Sequence, residues 1–211
     1  MMNETVRIVL EEYQSRLDEE LKITSKFDLR EYLQSRDGYL LGVGAETGKF
    51  LNILIKSHRP KMIVEVGTSY GYSTLWLAEA AQAVRGKLVT LELSPDKATV
   101  ARQVIAKAGL ESSVEFLVGD ALQNIQAIPG QIDFALIDLW KELYIPAFDR
   151  LHPKLRVGAL VAADNMLSPS YTAEDAASYR AHVRSTAGIE SVTVPIGSGV
   201  EVSYFSGPAA D

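Results

Sequence analysis

"VEVGTSYGYSTLWLA", residues 64–78, opens as an apolar strand and closes as an amphipathic helix, with Gly67 and Gly71 bracketing the turn between them. Without a Cβ, glycine lets a ligand approach the backbone, and the first N–H groups of the following helix are free to meet an anion. This is a nucleotide-type loop. Its spacing is Gly-x-x-x-Gly, and neither the dinucleotide fingerprint Gly-x-Gly-x-x-Gly nor the Gly-Lys-Ser/Thr of a P-loop is present.

Outward from this stretch the same alternation continues. "MIVEV" (62–66), "KLVTLEL" (87–93), "VEFLVG" (114–119), "IDFALID" (132–138) and "GALVAAD" (158–164) read as strands, separated by helical stretches near 71–84, 96–108, 120–127 and 141–151. Continuous apolar strands alternating with helices specify a parallel sheet covered on both faces. After a helix near 173–186, "IESVTVPIG" and "GVEVSYFSG" flank Gly197-Ser198-Gly199 as a hairpin, so the sheet ends antiparallel. The expected fold class is α/β: a doubly wound, Rossmann-like, mostly parallel seven-stranded sheet with helices on both faces. Three helices precede its first strand. The first carries Val6, Val9, Leu10, Tyr13, Leu17 and Leu21 on one face; "DLREYLQS" starts near Asp28, and a third covers 47–57 with Glu46 or Thr47 near its start. They are read as a cap over the site or as a homodimer contact. One domain spans 1–211, with a helical cap at 1–58 and an α/β core at 59–211.

Composition narrows the function. The 211 residues carry a formal charge of -6 and are 47% hydrophobic, with no cysteine. That excludes thiolate metal sites, disulfides and cysteine nucleophiles, and it argues against duplex nucleic acid, whose phosphates need a basic face. No apolar run approaches the roughly 18 residues of a membrane span, and the N-terminus lacks a signal-peptide pattern. A cytoplasmic, soluble protein with a small-molecule partner, and with neither nucleic acid nor membrane, is expected.

The strand ends hold the chemistry. Glu92 closes the second strand 21 residues after Gly71, where doubly wound folds place an acid for ribose hydroxyls. Gly119-Asp120 closes the third, with Asp120 readable as a helix cap, a ligand contact, or both. Asp138 closes the fourth strand and Asp164-Asn165 the fifth. Either aspartate alone reads as a helix cap; together with Asn165 they form a hard, all-oxygen set that suits Mg²⁺, with Mn²⁺ or Ca²⁺ able to substitute. Lys141, three residues after Asp138, is ordinarily a surface lysine, but beside a cation its ammonium is disfavoured and its amine can accept a proton near neutral pH.

"VEVGTSYGYSTLWLA", the acid of "VTLEL" and "FLVGDA" resemble the cofactor motifs of the metal-dependent S-adenosylmethionine O-methyltransferases, the group of catechol and caffeoyl-CoA O-methyltransferases. The resemblance covers roughly residues 40–207 and includes "VGAETGKFLNILI" upstream. It implies that Glu65, Gly67, Ser69 and Ser73 contact the amino-acid end of S-adenosylmethionine and that Glu92 holds the ribose. Val43, Gly71, Tyr72, Gly119, Asp120, Ala121 and Asp138 complete the implied cofactor set. Asp138, Asp164 and Asn165 match the family's metal ligands, and Lys141 its general base. Trp140 matches an aromatic residue beside the substrate ring, Asn165 lies on the substrate side of the metal, and Glu201 in "SGVEVSYFSGP" matches an acid that hydrogen-bonds the second hydroxyl. Leu139 and Ser198 depart from the His or Ala and the Asp usual at their positions, which bears on substrate preference. The implied reaction is methylation of one hydroxyl of a catechol-like vicinal diol. Two alternatives remain: a methyltransferase-like domain that holds the cofactor without turnover, and an NAD-linked oxidoreductase, which suits the sheet but not the glycine spacing or the closing hairpin.

Overall fold

The alternation read from residue 62 onward folds into one sheet of seven strands. In a computed structural model, which describes residues 2–207, these are β1 (Met62–Val66), β2 (Lys87–Glu92), β3 (Val114–Val118), β4 (Ile132–Ile137), β5 (Leu155–Ala163), β6 (Ile189–Val194) and β7 (Val200–Phe205). Their order is β3-β2-β1-β4-β5-β7-β6. The first five run parallel, and β7 slots antiparallel between β5 and β6. The order reverses beside β1, which pairs with both β2 and β4, so the crevice for a ligand opens above the carboxyl ends of these strands.

Eight α-helices accompany the sheet among the described residues: α1 (Glu4–Thr24), α2 (Leu29–Ser35), α3 (Ala45–His58), α4 (Tyr72–Val84), α5 (Pro95–Lys107), α6 (Ala121–Ala127), α7 (Tyr144–Leu151) and α8 (Ala173–Ser185). Their starts obey local chemistry. Asn3 caps α1, Asp28 and Glu31 form a reciprocal capping box on α2, and Ser94 caps α5 ahead of Pro95. Helix α3 departs from expectation: it begins at Ala45 after Gly44, with no side-chain cap, and Thr47 lies buried inside it.

Two apolar clusters fill the two faces. One joins α1, α3 and α4 to the sheet through Leu17, Leu51, Leu75, Ile63 and Phe134; the other joins α7 and α8 through Phe148, Tyr179 and Val161. Helix α1 buries Val6, Val9, Leu10, Tyr13 and Leu17 in the first cluster, so this part of its apolar face is covered by its own chain. Leu21, expected on that face, is 56% exposed.

Two boundaries differ from the sequence reading. The helix expected at 141–151 is a 3-10 turn at Lys141–Leu143 followed by α7, and β5 starts at Leu155, with Gly158 inside it at φ 92°. The ladder with β4 jumps from Ile132–Leu155 to Phe134–Leu160, so Gly158 sits in an irregularity of the strand where a positive φ is tolerated. Among the described residues no helix is long and apolar enough to cross a membrane.

Candidate active site

Parallel pairing sets four strand ends in one row. Val66 lies level with Leu91 and Ile137, and Ile137 with Ala163, which brings Gly67, Glu92, Asp138 and Asp164 to the same edge. Backbone bonds fix that edge: the amide of Gly67 donates to Leu91, that of Asp138 to Val66, and that of Asp164 to Ile137, at 3.1, 2.9 and 3.2 Å.

At the glycine turn, Gly67 has φ 107° and a Cβ there would stand 1.9 Å from the carbonyl oxygen of Asp138. Only glycine lets the loop lie against the β4 end. Gly71, at φ 93°, starts α4 with no side-chain cap, so the first amides of that helix face the crevice unclaimed by a capping side chain. Gly44 starts α3 in the same uncapped way, directly after Val43, which is itself buried in the first core cluster.

Several expected cofactor contacts are engaged by the protein itself. Glu65 is fully buried, and its carboxylate accepts the hydroxyls of Ser73, Thr74 and Thr90, each at 2.6 Å. These bonds tie the start of α4 and β2 to β1, and Ser73 is turned toward Glu65. Burial pushes Glu65 up to about 7, against the pull of those three hydroxyls. Tyr72 points away as well: its ring stacks on Tyr13 and its hydroxyl donates to Gln14 at 2.7 Å. Glu92 accepts the amides of Ser69 and Ser94 at 2.7 and 2.9 Å, which ties the loop to β2 while leaving carboxylate lone pairs free. Asp120 caps α6 through the amide of Gln123 at 2.8 Å, between Gly119 at φ 124° and Ala121, the first helical residue.

At the other end of the row neither aspartate caps a helix. Trp140 precedes the 3-10 turn after β4, and Thr172 precedes α8. Asp164 is 1% exposed, and its Oδ1 is buried with no hydrogen-bond partner. A buried carboxylate oxygen without a donor is costly unless a bound group pairs it, so this oxygen could serve a cation. Burial raises the pKa of both Asp138 and Asp164; the charge of Asp138 raises Asp164 further, while Lys141 opposes the rise in each. Asn165 follows in a left-handed conformation at φ 57°. Lys141 reaches across from the β4 side: its Nζ donates to the Asp164 carbonyl at 3.0 Å and lies 3.4 Å from Asn165 Oδ1. Burial lowers its pKa to about 8, even though Asp138, Asp164 and Asp175 pull the other way. Among the described residues no three His, Cys, Asp or Glu side chains cluster to hold an ion. Asp138, Asp164 and Asn165 offer only oxygen donors, two carboxylates and an amide, a chemistry that suits a magnesium-like cation better than a softer one.

Tyr144 was not singled out by its sequence. Its buried hydroxyl donates to the Asp164 carbonyl at 3.2 Å, and its ring centroid lies 3.6 Å from Lys141 Nζ. The three-residue step from Lys141 carries the signal, because positions three apart share a helical face.

Glu201, expected beside a substrate hydroxyl, is held by protein groups. It pairs with Ala163 across β5 and β7, next to Asp164, but its carboxylate turns under α8. There it accepts Arg184 Nε and Nη2 at 2.8 and 3.0 Å, Ser191 at 2.7 Å, and Thr193. Burial pushes its pKa up, but Arg184, Thr193 and Ser191 outweigh that and hold it below the usual range. With 0% exposure and these partners, Glu201 locks the hairpin to α8.

A family model described as O-methyltransferase matches residues 16–202. The chain belongs to the O-methyltransferase family. Catechol O-methyltransferase of Niastella koreensis is 37% identical over 131 residues, covering 60% of this chain and 59% of the relative. Catechol O-methyltransferase of Sus scrofa is 32% identical, covering 67% of this chain and 77% of the relative. The chain thus spans about three fifths of the length of the Niastella relative. Among solved structures, the O-methyltransferase TomG from Streptomyces achromogenes, in complex with SAM, superposes with TM-score 0.73 at 25% identity, covering 91% of this chain and 90% of that one. The O-methyltransferase from Bacillus cereus, in complex with SAH, gives TM-score 0.70 at 25% identity, covering 92% and 98%.

Proposed function

We propose that the protein is an S-adenosylmethionine-dependent O-methyltransferase that methylates one hydroxyl of a catechol-like vicinal diol with a divalent cation, Mg²⁺ foremost. One observation carries this reading: Lys141 converges on Asp164-Asn165 beside a buried carboxylate oxygen that has no partner. When bound, the cofactor supplies an electrophilic methyl group and the cation supplies Lewis-acid activation of a hydroxyl.

The chain's own residues do the rest. Asp138, Asp164 and Asn165 would hold the cation, and the uncapped start of α4 with Ser69 and Glu92 would hold the cofactor. The amine of Lys141, eased toward neutrality by burial, takes the proton of the hydroxyl to be methylated. The Tyr144 ring, against Lys141 Nζ, and its hydroxyl, on the Asp164 carbonyl that the amine also meets, help hold the amine in place. Because Gly67 packs against the Asp138 carbonyl, cofactor loop and diol site are rigidly adjoined, and orientation contributes to the rate.

The test is methyl transfer from S-adenosylmethionine to catechol, caffeate and caffeoyl-CoA, each with Mg²⁺ and with EDTA. Activity on a diol that EDTA abolishes is the expected result. Activity unaffected by EDTA overturns the role of Asp138, Asp164 and Asn165.

A further inference from the structure

The segment between α2 and α3 carries an arginine whose position the reaction above does not use. Arg36 begins a 3-10 turn, Arg36–Gly38, and its guanidinium carbon lies 3.8 Å from the centroid of the Trp140 ring. Trp140 sits between Asp138 and Lys141 in the chain and is 37% exposed, at the rim of the strand-end row. Tyr32 of α2 packs on Tyr171 at 6.3 Å between centroids, so α2 and the turn after it form one wall of that rim with aromatic faces.

This wall is tied to the cofactor loop. Asp37 is paired with Lys97, and its carbonyl accepts the Tyr70 hydroxyl at 3.4 Å. The Leu40 carbonyl accepts Ser69 Oγ at 3.4 Å, and the Leu40 amide donates to Glu20 at 2.7 Å. Arg36 is therefore placed by its neighbours, but its own charge is not used by them. Among the described residues its guanidinium forms no ion pair and donates no hydrogen bond, and the adjacent Asp37 is taken by Lys97. Stacking on an indole occupies the flat face of a guanidinium and leaves its in-plane N–H groups free. Those groups form a fork that matches a carboxylate in a bidentate way.

The charge also runs against its surroundings. The chain is net -6, and Asp138, Asp164 and Asp175 all act on Lys141 nearby.

We propose that Arg36, held against Trp140, selects aromatic diols that carry an anionic substituent, a carboxylate foremost. The assignment rests on the vicinal-diol reading above and names the substrate class within it.

Protocatechuate and its carboxamide have nearly the same shape and differ in charge, so they isolate the effect. Steady-state methyl transfer with both, in the wild type, Arg36→Gln and Arg36→Lys, measures it. The expected result is a kcat/KM ratio favouring the acid by about tenfold or more. That ratio falls toward one in Arg36→Gln, mainly through KM, and is partly kept in Arg36→Lys. A ratio near one in the wild type, or an equal loss on both substrates in Arg36→Gln, overturns the proposal. A raised KM for S-adenosylmethionine with the ratio intact assigns Arg36 to the cofactor carboxylate and also overturns it. If neither compound is methylated, the diol chemistry fails, and quenching of tryptophan fluorescence by the same two ligands decides Arg36 separately. Tighter binding of the acid that is lost in Arg36→Gln supports the assignment; equal binding rejects it.

Discussion

Two buried carboxylates at the same edge of the sheet are treated in opposite ways. Glu65, under the cofactor loop, has three hydroxyl donors at 2.6 Å, whereas Asp164 leaves Oδ1 with none. Folding supplies donors to the first and none to that oxygen of the second. A saturated buried carboxylate serves the scaffold, and an orphaned one marks the place where the fold tolerates a cost for function.

The contrast can be broken in measurable steps. The largest effect belongs to the amine beside the orphaned carboxylate: Lys141→Met is expected to lower kcat by about 10²- to 10⁴-fold. Calorimetry should show S-adenosylmethionine still binding; an undiminished kcat removes Lys141 from the reaction.

Next is the pH response of the scaffold. The raised pKa of Glu65 means that the folded chain holds this proton more tightly than the unfolded chain. Its contribution is therefore full below about pH 4.5 and is lost as pH rises through about 7. Chemical denaturation in EDTA should find Glu65→Gln less pH-dependent than the wild type, by about 3 kcal/mol across that window. Parallel profiles would show that Glu65 ionises without cost.

The orphaned carboxylate should respond to a cation instead. At a hundredfold excess over its Kd, Mg²⁺ is expected to stabilise the wild type by about 2.7 kcal/mol. Thermal unfolding should record that rise in the wild type and its loss in Asp164→Asn. A variant that keeps the full Mg²⁺ response places the cation elsewhere.

The smallest effect is Thr90→Val, which removes one donor from Glu65 and the partner of Thr68. Urea unfolding should show a loss of about 1–3 kcal/mol. No loss would mean that Ser73 and Thr74 suffice.

Legibility followed the same division. The placement of Gly67, Glu92, Asp138 and Asp164-Asn165 at one edge was readable because each ends or directly follows an apolar strand, and in a parallel sheet all such ends open on one side. Roles that depend on where a side chain turns were not. Glu65 and Glu201 carry the residue type expected of ligand contacts, yet hydroxyls claim one and Arg184 claims the other. Asp138 and Asp164 read alone as helix caps, and the start points of the 3-10 turn and α8 show that they cap nothing. The position of β7 between β5 and β6 was likewise hidden, since a hairpin signal states that two strands pair and not which of them meets the sheet.

The sequence by itself determined the α/β alternation, the glycine turn and the all-oxygen chemistry at the strand ends, because hydrophobic period and residue type act locally. Only the tertiary structure decided which carboxylates are spent on hydrogen bonds, that Tyr144 lies beneath Lys141, and that Arg36 from the N-terminal segment reaches Trp140. Those contacts join residues far apart in the chain, and packing rather than spacing brings them together.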